Sequence, residues 1–140
     1  LDKYAVRVGG GSNHRQGLFD GVLIKNNHVH LVGGVGAAID RARQNIAQDA
    51  RNVPIEVEVS TIVEMEEALA SRADAILLDN MTPDLLRDAV ALVDGRARLE
   101  APGGATLENV RAVAETGVDE ISIGALTHSA RSLDVSLELI

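Results

Sequence analysis

Short apolar runs alternate with longer amphipathic stretches along the whole chain. Each run has the length and aliphatic content of a buried strand, and the runs occupy residues 21–24, 55–59, 75–78, 97–99 and 120–123. Between them, apolar residues recur at intervals of three and four, which is the spacing of a helix with one buried face. The alternation predicts repeated strand–helix units, right-handed crossovers and a parallel sheet.

The stretches between the later strands begin with residues that cap helices. Thr61 and Glu64 form a capping-box pattern, Thr82 precedes a proline at the first helical position, and Thr106 can cap a helix that runs to Glu115. These signals predict a helix after each of the three middle strands. The apolar positions expected to face the sheet in the last two helices include Leu85 and Leu107.

The region between the first two strands is predicted to be loop followed by helix. Residues 26–34 are polar and end in glycines, and two of them are histidines, His28 and His30, which are interpreted as loop residues. From Val35 to Ile46 the apolar residues return to helical spacing. At the start of the chain, residues 1–8 have the pattern of a helix that ends at glycine, so the chain is interpreted as a piece of something longer.

The repeat length predicts the fold class. A spacing of about 20 residues in the later units suits a TIM-like barrel, which closes with eight units and about 250 residues. A chain of 140 residues with five strands therefore predicts an incomplete α/β barrel with parallel strands, either an open arc or part of a larger barrel. A doubly wound sheet is the alternative, although no dinucleotide-binding glycine motif follows any strand.

Charge and composition narrow the class of ligand. The net charge is −8, but residues 1–28 carry +2 and the remaining residues −10. A basic segment on an acidic chain predicts a small anionic ligand. Nucleic acid is excluded as a partner because the aromatic residues are only Tyr4 and Phe19 and no broad basic face is present. The chain has no cysteine and no apolar stretch long enough for a membrane span, so a cytoplasmic protein is expected.

Reactive residues or glycines occur at the end of every predicted strand. Because the carboxyl ends of parallel barrel strands share one face, these residues predict an active site there. The strand-end residues are Lys25, Glu58, Asp79, Glu100 and Gly124. The alternative for Lys25 is a side chain that extends from the strand end into solvent, with His14 capping a loop.

Two kinds of binding site can be proposed on this face. Glycines in the last two strand–helix turns predict a phosphate site, to which His128 could add a charge; ordinary turns are the alternative. Glu58 and Asp79 on successive strand ends predict a magnesium site shared with a substrate phosphate, and a solvated pair is the alternative. Glu56 and Glu58 would point into a barrel, which is costly unless cations or donors meet them.

Five spaced segments carry a family resemblance over essentially the whole chain. They are GGGSNHRQGLFDGVLIKNNH, IEVEV, ILLDN, LEAPGG and GVDEISIGALTHS. In this order they resemble quinolinate phosphoribosyltransferase, also called nicotinate-nucleotide pyrophosphorylase (carboxylating). The resemblance implies the C-terminal barrel portion of a homodimer or higher oligomer. It also implies transfer from phosphoribosyl pyrophosphate (PRPP) to quinolinate with Mg²⁺ and loss of carbon dioxide, giving nicotinate mononucleotide and pyrophosphate in NAD biosynthesis.

The same resemblance assigns roles residue by residue. His14, Arg15 and Lys25 correspond to the quinolinate-binding cations, and Lys25, Glu58 and Asp79 are the implied catalytic residues. Glu58 and Asp79 correspond to the carboxylates near ribose, pyrophosphate and magnesium. The positions that correspond to the phosphate site are Gly103, Gly104, Gly124 and His128.

The chain also departs from the family pattern. Pro102 stands where the family usually has serine, and Asn26 replaces an acidic residue. The family's Thr-Arg-Lys segment and its N-terminal α/β domain are not present, so the 140-residue chain is expected to be inactive alone. The alternatives are a related phosphoribosyltransferase-like protein of molybdenum metabolism and a phosphate-binding barrel fragment without catalysis.

Overall fold

The computed structural model describes residues 1–48 and 52–139 and contains a five-stranded parallel sheet. The strands are β1 (Val22–Ile24), β2 (Ile55–Val59), β3 (Ala75–Leu78), β4 (Arg98–Ala101) and β5 (Glu120–Ile121). They lie in the order β1-β2-β3-β4-β5. Sequential order is that of a barrel wall, whereas a doubly wound sheet reverses its strand order. The predicted α/β fold with parallel strands is confirmed.

Helices connect the strands and precede the first of them. They are α1 (Asp2–Val8), α2 (Asn26–Val32), α3 (Val35–Gln48), α4 (Ile62–Ala70), α5 (Pro83–Val93), α6 (Val110–Ala114) and α7 (Ala125–His128). The predicted capping box is present, because Thr61 Oγ1 accepts from the Glu64 N–H and Glu64 Oε2 accepts from the Thr61 N–H. Within the described residues, none of the helices is both long and apolar enough to cross a membrane.

One predicted loop is a helix. Residues 26–32 form α2, because His28 Nδ1 accepts from the Lys25 N–H at 2.9 Å and caps the first turn. Gly33 ends the helix with a φ of 88°, a left-handed conformation that glycine adopts without strain. The prediction of a polar loop was therefore wrong at this segment, and Lys25 lies at a strand–helix junction.

Two predicted inward leucines are on the surface. Leu107 is 92% exposed because α6 begins only after Asn109, whose Oδ1 accepts from the Thr106 N–H and holds residues 106–109 in a turn. Leu85 is 41% exposed in the first turn of α5. The rest of the apolar stripe of α5 is buried, at Leu86, Ala89 and Val93, whereas α6 has no buried residue. The predicted stripe of α5 is therefore confirmed except at Leu85, and the prediction for Leu107 was wrong because α6 begins later than expected.

The two faces of the sheet have different chemistry. One face packs against α3, α4 and α5 and forms the apolar core, which includes Val57, Val59, Ile76 and Leu78, each 0% exposed. Alternate residues of the same strands point to the other face. That second face, called the pocket face below, carries Leu23, Glu56, Glu58, Leu77, Arg98, Glu100 and Glu120.

Candidate functional site

A cavity of about 760 Å³ lies over the pocket face and contains most of the predicted site residues. A volume in this range is typical of small-molecule sites. The predicted residues that line the cavity are His14, Lys25, Glu58, Gly103 and Gly124. They come from the loop before β1 and from the carboxyl ends of four strands, which is where barrel folds concentrate their chemistry.

The other predicted residues do not line this cavity. Arg15 turns toward the start of β1, where Nη1 donates to the Gly21 carbonyl at 3.3 Å. Asp79 follows β3, and its Oδ2 accepts from Asn80 Nδ2 at 2.9 Å. Gly104 follows Gly103 but does not line the cavity.

His128 also lies beside the cavity rather than on its wall. Its Nε2 would be 3.1 Å from a Cβ atom added at Gly124, and its Nδ1 is 2.6 Å from Ser129 Oγ. A side chain at position 124 would therefore require the imidazole to shift by a few tenths of an ångström. The close packing keeps His128 next to the turn that was predicted to bind phosphate.

The loop that carries His14 is anchored to α1. Lys3 Nζ donates to the Arg15 carbonyl and to the Gln16 carbonyl, and Asn13 Nδ2 donates to the Lys3 carbonyl at 2.9 Å. Asp20 accepts from the Gln16 and Gly17 N–H groups, and these bonds lower the pKa of its carboxyl. The helix and the turn together fix the position of His14 over the sheet.

His14 contacts two carboxylates on the pocket face. Its Nε2 lies 3.0 Å from Glu56 Oε2 and 3.7 Å from Glu100 Oε2. Glu100 also accepts a hydrogen bond from the Ser122 hydroxyl, whereas Glu56 Oε1 is buried and has no hydrogen-bond partner. On the intervening strand β3, Ala75 pairs with Glu56 and Leu77 pairs with Glu100, so the two glutamates meet diagonally across that strand. The predicted need for a cation or donor at Glu56 is met on one oxygen only.

Burial changes the acidity of Glu56. Removal from water disfavours the charged carboxylate, and the neighbouring Glu100 adds repulsion and a hydrogen bond, so the pKa of Glu56 rises to about 7. The nearby Arg98 acts in the opposite direction but is the smaller influence. Glu56 therefore holds its proton well above the pH at which an exposed glutamate loses it.

The cluster of His14, Glu56 and Glu100 was not predicted from the sequence as a site. The prediction considered strand ends, and it treated Glu100 as one of them, but Glu100 lies inside β4. Alternation along the chain could have indicated it. The positions of β4, of β5 and directly after β5 that belong to the pocket face are all polar: Arg98, Glu100, Glu120 and Ser122. Arg98 Nε lies 3.5 Å from Glu120 Oε1, so this part of the pocket face contains an ion pair as well.

The charged groups at the mouth of the cavity are Lys25 and Glu58. Glu58 Oε2 accepts from the Asn26 N–H at 3.3 Å, which leaves its second oxygen for another ligand. Lys25 is exposed at the end of β1, and within residues 1–48 and 52–139 it takes part in no salt bridge. The mouth therefore offers an ammonium group and a carboxylate oxygen to a bound molecule.

The stability of the metal-free chain should fall as pH rises from about 4.5 to about 7. In this range native Glu56 keeps a proton that the unfolded chain has lost, so raising the pH favours unfolding. The shift corresponds to about 3 kcal/mol, and water at the open side of the cavity should reduce it to about 1–2 kcal/mol. Urea unfolding of the parent and of Glu56→Gln at several pH values should show this difference in slope. Parallel pH profiles for the two proteins would contradict the assignment.

Comparisons with known proteins identify the family of the chain. Residues 1–138 match the family described as quinolinate phosphoribosyl transferase, C-terminal domain. A probable nicotinate-nucleotide pyrophosphorylase [carboxylating] of Bacillus subtilis (strain 168) is 47% identical over 139 residues, which are 99% of this chain and 47% of that protein. A mitochondrial quinolinate phosphoribosyltransferase [decarboxylating] 2a of Nicotiana tabacum is 46% identical over 154 residues, which cover 99% of this chain and 44% of that protein.

Solved structures show the same relationship. The crystal structure of NadC from Streptococcus pyogenes superposes with a TM-score of 0.87 at 43% identity, covering 95% of this chain and 46% of that one. A thiamine phosphate pyrophosphorylase from Pyrococcus furiosus superposes with a TM-score of 0.56 at 25% identity, covering 76% of this chain and 50% of that one. The chain spans about half the length of the curated relatives it matches.

Proposed function

Since this chain belongs to the quinolinate phosphoribosyltransferase family, with residues 1–138 matching the C-terminal domain, we propose that its pocket face binds quinolinate for phosphoribosyl transfer from PRPP. In this proposal the transfer releases pyrophosphate, and loss of carbon dioxide gives nicotinate mononucleotide. The chain supplies the strands, loops and side chains that form one side of the reaction site.

The observation that carries the proposal is the position of Lys25 at the cavity mouth. Lys25 ends β1, lines the cavity, and faces the same space as His14. Quinolinate has two carboxylates, and an ammonium group can neutralise one of them with charge-assisted hydrogen bonds. Arg98 lines the cavity as a second permanent cation. Quinolinate is the acceptor of the phosphoribosyl group, and the place where it binds is called the acceptor site below. Arg15 would contact quinolinate there only if its side chain released the Gly21 carbonyl.

The two glycine turns are proposed to hold the phosphate of the nucleotide. A Cβ atom added at Gly103 would lie 3.9 Å from the Gly124 nitrogen, so the two turns are adjacent in space. Backbone N–H groups at such a place can point at an anion without obstruction by side chains. Gly104 and His128 flank the same turns and are assigned to the same role.

Glu58 and Asp79 are proposed as the carboxylates that face the ribose and a Mg²⁺ ion. Glu58 lies near the carboxyl end of β2, and Asp79 follows the neighbouring strand β3. Oxygen-only donors of low number suit magnesium that is shared with substrate phosphates. A bound Mg²⁺ would neutralise charge on the departing pyrophosphate. Glu58, which lines the cavity, can also stabilise positive charge that develops on the ribose.

Calorimetric titration of the chain with quinolinate tests the acceptor site. Nicotinate is the matched ligand because it keeps the pyridine ring and lacks one carboxylate. Quinolinate should bind about tenfold or more tightly, since the second carboxylate adds one charge-assisted contact. Equal affinities, or heat from neither ligand, would contradict the proposal.

Pro102→Ser should tighten binding of nicotinate mononucleotide by up to about tenfold. Proline lacks a backbone N–H, and serine restores that donor and adds a hydroxyl, each able to bond the phosphate. In the parent the Pro102 carbonyl accepts from the Gly104 N–H at 2.8 Å, a turn that serine can also form. Titration of both proteins with the nucleotide measures the change. Weaker binding by the serine variant would count against a phosphate site at this turn.

A further inference from the structure

We propose that His14, Glu56 and Glu100 form a binding site for one divalent transition-metal ion, such as Zn²⁺. The site lies at the floor of the pocket face and uses none of the carboxylates assigned to Mg²⁺. In the described part of the chain, these three residues form a group whose possible ligand atoms all lie within 4.8 Å of one another. The site includes His14, which the family resemblance assigns to quinolinate, but the inference concerns the binding of the ion alone and does not depend on the proposed function.

The distances between the ligand atoms fit a common ion. His14 Nε2 is 3.0 Å from Glu56 Oε2 and 3.7 Å from Glu100 Oε2. Ligands that each lie about 2.1 Å from one ion are separated by such distances when the angles at the ion are about 90° and about 120°. Two of the three ligand pairs therefore already have separations that a shared ion requires, and the third pair lies within 4.8 Å.

The buried oxygen of Glu56 is independent support for a ligand. The Glu56 side chain is 9% exposed, and its Oε1 has no hydrogen-bond partner. A buried carboxylate oxygen without a partner is costly, and buried charges are normally paired or bound to a metal. An ion beside Oε2 would neutralise the carboxylate to which Oε1 belongs.

The surroundings orient the ligands and give the ion access. The Ser122 hydroxyl donates to Glu100 Oε1 and leaves Oε2 directed at His14, which is the kind of support that ligating carboxylates receive in metal sites. His14 and Glu100 line the cavity, so an ion can enter from the solvent. With three protein ligands, coordination positions remain open toward the cavity.

The donor set determines the kind of ion. An imidazole nitrogen with two carboxylates suits zinc and other first-row transition metals, whereas magnesium prefers oxygen alone. A divalent ion here would also offset the negative charge of Glu56, Glu58, Glu100 and Glu120 on the face that is to bind an anion.

Zinc titration of the metal-free chain tests the site. We expect one Zn²⁺ per chain, with no displacement by equimolar Mg²⁺. Glu56→Gln and His14→Ala should each weaken zinc binding by about 100-fold or more, since loss of supporting partners alone costs about 10- to 100-fold. Ser122→Ala should weaken it by about tenfold. Glu115→Gln and His30→Ala are matched controls, which should bind zinc like the parent because both residues lie outside the cavity.

The outcomes separate the site from adventitious binding. If Glu56→Gln and His14→Ala keep zinc affinity within about threefold of the parent, the site does not exist; equal competition by Mg²⁺ would overturn it as well. Circular dichroism of each variant checks folding. His14 lies in a loop before β1, so its variant tests the site even if a strand variant unfolds. No quinolinate is present, and failure here leaves the proposed function untouched.

Discussion

Lys25→Ala should weaken quinolinate binding by about 10- to 100-fold. The ammonium group is exposed at the cavity mouth, and its bond to a carboxylate is charge-assisted, worth about 1.5–3 kcal/mol. Truncation should leave the fold intact because the structural role of this residue is carried by its backbone N–H, which donates to His28 Nδ1. Calorimetry at low salt measures the affinity, and added salt should narrow the difference between the two proteins.

Arg111→Ala is the matched control for Lys25→Ala. It removes the same charge from an exposed helix, where Arg111 pairs with Glu115 at 2.9 Å. Such exposed pairs contribute little, so quinolinate affinity should stay at the parent value. If the two variants lose affinity equally, the effect is one of net charge and Lys25 does not contact the ligand. An unchanged affinity in Lys25→Ala would also refute its assigned role.

Ile76→Ala should lower the free energy of unfolding by about 2–5 kcal/mol. Ile76 is 0% exposed at the centre of β3, the middle strand of the sheet, and its side chain belongs to the apolar core. Truncation removes buried apolar surface and leaves a cavity that the surrounding helices cannot fill. Since domains of this size are stabilised by about 5–15 kcal/mol, the variant should unfold at a clearly lower urea concentration.

Leu107→Ala is the control for the core prediction. Leu107 was predicted to be inward from its helical spacing, but it is 92% exposed. Its truncation should change stability by less than about 0.5 kcal/mol. A loss as large as that of Ile76→Ala would place Leu107 in the core and contradict the observed start of α6.

Local patterns were sufficient to predict most of the fold. The alternation of IEVEV and the Thr61/Glu64 capping box depend on neighbours within a few residues, and both elements form where they were predicted. The helix at residues 26–32 was not predicted because it is capped by a histidine and has a single buried residue, Val29. Neither feature produces a strong apolar stripe. The start of α6 was missed because Asn109 caps a turn rather than a helix.

From the sequence, only the site residues near the carboxyl ends of strands could be predicted. Lys25 and Glu58 lie on the cavity wall because the carboxyl ends of parallel strands share an edge. The meeting of Glu56 with Glu100 depends instead on the register across β3, where Ala75 pairs with Glu56 and Leu77 pairs with Glu100. No local pattern encodes that register. The orientation of Arg15 toward Gly21 is likewise a tertiary contact that the motif does not contain.

The most direct test of the acceptor site is to map quinolinate on the chain by nuclear magnetic resonance. A ¹⁵N-labelled sample titrated with quinolinate should show the largest amide shifts around His14, Lys25, Gly103 and Gly124, which line the cavity. The opposite end of the sheet, around Pro54 and Asp74, should be unaffected. No shifts at saturating quinolinate, or shifts centred on that opposite end, would contradict the assignment of the pocket face as the acceptor site.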